Sequence, residues 1–354
     1  MIRPYTTVLI VPTGIGAAIG GYAGDALPVA RAIAQVSDWV ITHPNVLNGA
    51  QLYWNLPNVL YVEGYGLDQF AAGHWNLCPV HQNRVGLILD QGIEPDLRLR
   101  HLQAADATRA TLGLALTDYV VTDAPLTVQL KTAASGATWG TIQNPDSLLR
   151  AAEIAIHRAG AEAIAIVVRF PDDIGSEALQ NYRQGHGVDP LAGAEAVISH
   201  LVVREFQIPC AHAPALSPLP LDPAISPRSA AEELGYTFLP CVLAGLSRAP
   251  QFAFTTAACP PAITAAQVDA VILPATAFGG SAAMSFGQRS HRSPPLILAV
   301  QENKTTMQVP PEFLEIPAMR VNSYLEAIGV LVAHRAGLHP NSLRSAISPL
   351  RPLE

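Results

Sequence analysis

Short, almost wholly apolar runs alternate with helix-forming stretches along this chain, and that alternation constrains the fold more than any other feature. Thr7 to Val11, Trp39 to Thr42, Val59 to Val62, Val85 to Asp90 and Tyr119 to Val121 have strand length and composition, as do Ile164 to Val168, Asp269 to Leu273 and Leu296 to Val300. Strands with no polar alternation are covered on both faces, as in parallel sheets flanked by helices. Helical stretches run from about Ala26 to Val36, Asp96 to Leu112, Pro145 to Ala159, after Asp189-Pro190, and from Ser323 to Ala336. Asn144, Pro145 and Gly160 mark both ends of one of them. The expected fold is α/β, with mostly parallel sheets, flanking helices and a Rossmann-like layout in two lobes. These lobes fall at residues 1–125 and 126–340, with 341–354 as a C-terminal tail. Proline-rich Leu216 to Pro227 is the candidate boundary or crossing strap.

Charge and apolar content narrow the function classes. Only 14% of residues are charged against 49% hydrophobic, and the net charge is −7 with basic residues scattered. Such a chain offers no footprint for a nucleic acid. No apolar run reaches the roughly 18 to 20 residues of a membrane span, and no signal-like segment opens the chain. A cytoplasmic protein without nucleic-acid or membrane partners is expected, with homo-oligomerisation left open. Cys78, Cys210, Cys241 and Cys259 show no metal-ligand spacing and read as buried thiols. A two-thiol pair of Cys210 and Cys241 is the functional alternative. No motif names a cofactor, and no metal site is expected.

The segment Pro12 to Asp25 joins a strand to a helix and carries Gly14, Gly16, Gly20, Gly21 and Gly24. Glycines there let the backbone approach a ligand, with N–H groups free for an anion. Thr13 and Asp25 join the glycines as ligand-binding candidates. The loop is no Walker motif, because no Gly-Lys-Ser/Thr follows, and Ala17-Ala18-Ile19 spoils the dinucleotide spacing. Close helix packing is the competing explanation.

Parallel sheets gather ligands at the carboxyl ends of their strands. His43, Glu63 and Glu302 lie at such ends, and His212 sits between Cys210 and Pro214. Histidine titrates near neutrality and a half-buried carboxylate can be raised towards it, so these four are the acid and base candidates. A turn at His43-Pro44-Asn45, a helix cap at Glu63 and an exposed loop at Glu302 are the plain alternatives. Asn45, Asn303 and the turn Gly279-Gly280-Ser281 are further ligand contacts. Lys131 and Ser135 suggest a lysine-activated nucleophile or a ligand contact. Arg183 and His186 belong to a glycine-bracketed segment that reads as a clamp or as a solvated loop. His200, on the helix after Asp189, reads as a core or surface histidine.

The phrases VPTGIGAAIGGYAGDA, ITHPNVLNGAQLYW, LRHLQAADATRATLG, YRQGHGVDPLAGAEAVISHLVVRE, IPCAHAPAL and ELGYTFLPCVLAGLSRAP resemble a family of domains of unknown function. That family occurs mainly in cyanobacteria and related photosynthetic lineages. The resemblance spans nearly the whole chain; it implies a cytoplasmic, cyanobacterial protein and carries over no catalytic residues. A looser, architectural similarity is to two-domain nucleotide-sugar glycosyltransferases and epimerases. The expectation is an enzyme of transferase or isomerase type, binding an anionic small metabolite of the nucleotide-sugar or sugar-phosphate class between its lobes. A non-catalytic metabolite sensor or assembly factor and a Ser/Lys hydrolase are the alternatives.

Overall fold

The structure is a computed structural model, described for residues 3–22, 24–47, 55–233, 238–255, 262–288, 294–347 and 349–350. The first third runs β1 (Thr6–Leu9), α1 (Leu27–Val36), β2 (Trp39–Thr42), the single turn α2 (Pro44–Leu47), β3 (Val59–Tyr61), α3 (Gly64–Ala72), β4 (Asn76–Cys78), β5 (Val85–Leu89) and α4 (Pro95–Leu112). The middle adds β6 (Leu116–Val121), β7 (Val128–Thr132), β8 (Thr138–Ile142), α5 (Pro145–Ala159), β9 (Ala163–Arg169), α6 (Glu177–Arg183), α7 (Ala192–Phe206) and β10 (Cys210–Ala215). The last third holds α8 (Pro227–Glu233), α9 (Phe238–Leu246), β11 (Gln251–Ala253), β12 (Val268–Pro274), α10 (Ser281–Gly287), β13 (Leu296–Val300), β14 (Met319–Val321) and α11 (Tyr324–Arg335).

Two parallel sheets organise these elements, so the chain is α/β and Rossmann-like. Six strands lie in the order β14-β13-β12-β1-β2-β3 and four in the order β10-β9-β5-β6. Every pairing within both sheets is parallel. β1 is buried at all four positions and is hydrogen-bonded on both edges, Val8 opposite Ile41 of β2 and Val271 of β12. Strands from both ends of the chain therefore share one sheet, whereas lobes at 1–125 and 126–340 keep β1 to β3 apart from β12 to β14. The four-stranded sheet is built from one continuous stretch, β5 to β10.

One apolar core runs beneath both sheets. Leu9 and Val11 join Leu87, Ala165 and Ala213 in it, together with Val242, Leu243 and Leu246 of α9. Glycine closes α3, α4 and α5 in the left-handed conformation, whereas Asn144 stands at the start of α5 with no side-chain cap bond. Gly160 takes the left-handed conformation at φ +67° and its N–H closes α5 onto Ala155 and Ile156. Asp25 stands just before α1 but does not cap it: Ala26 occupies the cap position with no side-chain bond, while Asp25 accepts the Gly20 N–H at 2.6 Å. Cys78, Cys210 and Cys241 are buried; Cys259 lies outside the described residues.

The antiparallel hairpin β7–β8 lies across the start of α7. A Cβ on Gly193 would stand 1.9 Å from the Thr138 carbonyl oxygen, so only glycine permits this approach. Gly193→Ala must push the hairpin off the helix. We expect a loss of about 1 to 3 kcal/mol in urea unfolding, the usual range for overpacking; an unchanged midpoint would show that the hairpin does not bear on α7.

Candidate functional site

A cavity of about 420 Å³ opens where the carboxyl ends of β1, β2, β3 and β12 face α7 and β10. Ile10, Pro12 and Thr13 follow β1, His43 follows β2, Glu63 follows β3, and Gly279 to Ser281 follow β12. The opposite wall is a stripe of α7: Ala192, Glu195, Ala196, Ser199 and His200. Spacings of three and four put those five on one helix face. Small alanines leave the room and the polar three supply the chemistry.

Glu63 is at the centre and divides its two oxygens. Oε2 accepts N–H bonds from Tyr65 at 2.7 Å and Gly66 at 3.3 Å, capping α3. Oε1 makes an ion-pair contact with Nδ1 of His200 and accepts a 3.4 Å hydrogen bond from Ser199 Oγ. Ser199 Oγ also lies 3.1 Å from Nδ1 of His212, whose Nε2 is 3.8 Å from Glu195 Oε2. Two histidine–carboxylate pairs are thus joined through one buried hydroxyl. Gly64 makes this possible, since a Cβ there would meet His200 Cε1 at 2.9 Å.

Environment sets the proton affinities. Burial works against a charged His200, but contact with Glu63 and the charges of Glu63 and Asp68 outweigh it and hold the imidazole above its ordinary value. Burial also raises Asp68, although its carboxylate accepts the Ala282 N–H at 2.9 Å. His43 lines the cleft but is desolvated to about 4, and its Nε2 accepts the Val11 N–H at 3.0 Å. It therefore stays neutral near pH 7 and fixes the turn after β1, with no proton to give. The Tyr61 hydroxyl, buried in the same wall, has no partner among the described residues.

The other sequence candidates are distributed more widely. Asn45 reaches the cleft, yet its amide donates to Gly20 O at 2.6 Å and Val11 O at 3.3 Å. Much of the glycine-rich loop is tied to the chain itself. Asn303 is buried and accepts the Ile19 N–H, the Lys304 carbonyl accepts that of Ala18, and Asp25 pairs with Arg228 at 2.8 Å. The Gly14 carbonyl accepts from Thr138, and that of Gly21 from the Tyr182 hydroxyl at 3.5 Å. Gly16 lines a separate groove with His186 and Lys304. Glu302 is exposed and accepts the Tyr324 N–H at 2.7 Å, away from the cleft lining. Lys131 lies over the Trp139 ring, and Ser135 sits in the exposed hairpin turn. Arg183 is buried, bonded to Glu233 at 2.9 Å and to the Pro220 carbonyl at 2.7 Å. Burial pushes the Cys210 thiol up, the wrong direction for a thiolate base.

Sequence reasoning missed Glu195, Ser199 and His200. Their signal was the polar stripe at helical spacing, interleaved with Ala192 and Ala196. Among the described residues no cluster of three or more His, Cys, Asp or Glu has metal-binding geometry.

This architecture, two parallel sheets meeting over a cleft with paired histidines and carboxylates, defines an α/β protein with a small-molecule-sized site. The chain belongs to the family described as Protein of unknown function (DUF3326), which matches residues 6–344. It is 64% identical over 341 residues to an uncharacterised lipoprotein of Synechococcus sp. (strain ATCC 27144 / PCC 6301 / SAUG 1402/1), covering 96% of this chain and 94% of that one. The cyanobacterial family resemblance is thereby shown. No solved structure matches, and the looser likeness to nucleotide-sugar enzymes finds no support. The expected cytoplasmic location is overturned by that relative, which is named a lipoprotein. Among the described residues no helix is long and apolar enough to cross a membrane.

Two titrations check the electrostatics. His200 should titrate above 6.5 by NMR, and Glu63→Gln, which keeps an acceptor for the cap, should lower that value. Because the folded value is raised, the stability from this pair is fully present below about pH 6.5 and is lost as pH rises through the folded value. His43 has the opposite sign: it stays neutral when folded and is protonated when unfolded. The wild-type minus His43→Gln difference in unfolding free energy should fall by on the order of 3 kcal/mol between about pH 7 and about pH 4.

Proposed function

We propose that the chain is an acid–base enzyme that moves a proton on a small polar substrate held between α7 and the strand ends of the six-stranded sheet. The observation that carries this is the linked pair of dyads, His200 with Glu63 and His212 with Glu195, on the walls of one cavity. Two histidines with separate carboxylates give one group to remove a proton and another to return one. That is the minimal equipment of an isomerase or epimerase. Ser199 is buried in mid-helix and serves to orient the His212 ring and the Glu63 carboxylate.

The lining also bears on the substrate. It carries Glu63, Asp68, Asp189 and Glu195 and, among the described residues, no lysine or arginine. A phosphate group would find no lysine or arginine there, His200 is already paired with Glu63, and Asp68 already occupies the Ala282 N–H beside Gly279 to Ser281. The anionic substrate expected from the sequence therefore gives way to a neutral or cationic one. Lys131 and Ser135 support no hydrolase, since neither lines the cavity.

Native mass spectrometry of gently purified protein identifies a retained small molecule, and incubation in D₂O then tests the chemistry. We expect deuterium at a carbon of the released ligand, with His200→Gln and His212→Gln each slowing exchange by about 100-fold or more while the ligand stays bound. A ligand held tightly with neither exchange nor conversion would instead identify a sensor or assembly factor.

A further inference from the structure

A second chamber of about 480 Å³ adjoins the acid–base cleft, and its chemistry differs. Ile174, Leu179, Leu191, Leu216, Leu219 and Phe238 are among its lining residues. The proline-rich strap after β10 closes over α6 and the start of α7 to form it. Arg183 is the one cation among its described lining residues, and Glu233 and the Pro220 carbonyl already hold it. Leu221 is 85% exposed and Ile174 is 53% exposed at its rim, so apolar side chains that a closed core would bury face the entrance.

The two cavities share walls. Asp189, Glu195, Pro214 and Phe238 line both. Glu195 is the carboxylate beside His212, so a molecule lying on the dyads has an apolar space directly next to it. Chamber size falls within the range of small-molecule sites.

We propose, on the reading that the dyads form an acid–base site, that its substrate is amphiphilic: a neutral or cationic polar head on the dyads and a hydrocarbon chain or ring in the apolar chamber. Burying each methylene there strengthens binding by a fixed factor, whereas a polar-only substrate gains nothing from the chamber. The carboxylates of the shared wall suit a cationic head, and the chamber offers no free cation to a second anionic group.

Calorimetric titration with n-alkylamines from butylamine to octylamine, at about pH 7 and below micelle-forming concentration, tests this. We expect one-to-one binding whose affinity rises about fourfold per methylene. Leu219→Glu should reduce that increment to less than about twofold, its fold checked by circular dichroism. Glu195→Gln should weaken every amine by a similar factor. Butylamine binding that is sensitive to Glu195→Gln, with no chain-length dependence in the wild-type protein, would overturn the amphiphile and leave the acid–base site standing. Chain-length dependence that is indifferent to Glu195→Gln and His200→Gln would overturn both. Absence of binding by the whole series also overturns the proposal.

Discussion

One carboxylate ties the two sheets together. Glu63 ends the strand at the edge of the six-stranded sheet, caps the helix that follows, and reaches across to a helix packed on the four-stranded sheet. A carboxylate buried this deeply is tolerable only when both oxygens are occupied. Here backbone N–H groups occupy one oxygen, and an imidazole and a hydroxyl the other. Without it, α3 loses its cap and His200 keeps its desolvation with only Asp68 and the Ala196 backbone to offset it. Position and chemistry are therefore inseparable at this residue, since the contact that sets the angle of α3 also sets the proton affinity of His200.

Around that contact the site is layered by rigidity. His43 and Asn45 spend their polar atoms on the turn after β1, and Asn303 holds the glycine-rich loop from the far side of the sheet. These side chains hold a frame. Glu195, Ser199 and His200 ride on one helix, so their mutual spacing is fixed by helical geometry. Relative movement of the two sheets would alter the His200–Glu63 pair and leave His212 with Glu195, because both of those residues belong to the four-stranded side.

The α/β class was legible because a strand covered on both faces has to be apolar throughout: Ile164 to Val168 and Leu296 to Val300 have no polar face to show water. Strand ends were legible for the same reason, and they brought Glu63, His43 and Gly279 to Ser281 to the cavity that His212 enters from within β10. What stayed hidden was long-range pairing. Nothing local in Gly14 to Asp25 shows that its N–H groups meet Asn303 and Lys304, so donors that looked free for an anion are already taken. His200 was obscured because its role depends on Glu63, a residue of the other sheet.

The placement of β1 has a consequence for how the chain acquires its structure. Thr6 pairs with Trp39 on one side and with Val268 on the other. During synthesis β1 has one neighbour early and waits for the second until β12, at residues 268–274 of 354, has been made. Over that interval an apolar strand edge has unsatisfied backbone groups, which is the condition for mispairing with another chain. The four-stranded sheet, made from one continuous stretch, needs no such wait, and contact order favours its earlier completion. The cleft, which draws walls from both sheets, is then among the last features to form.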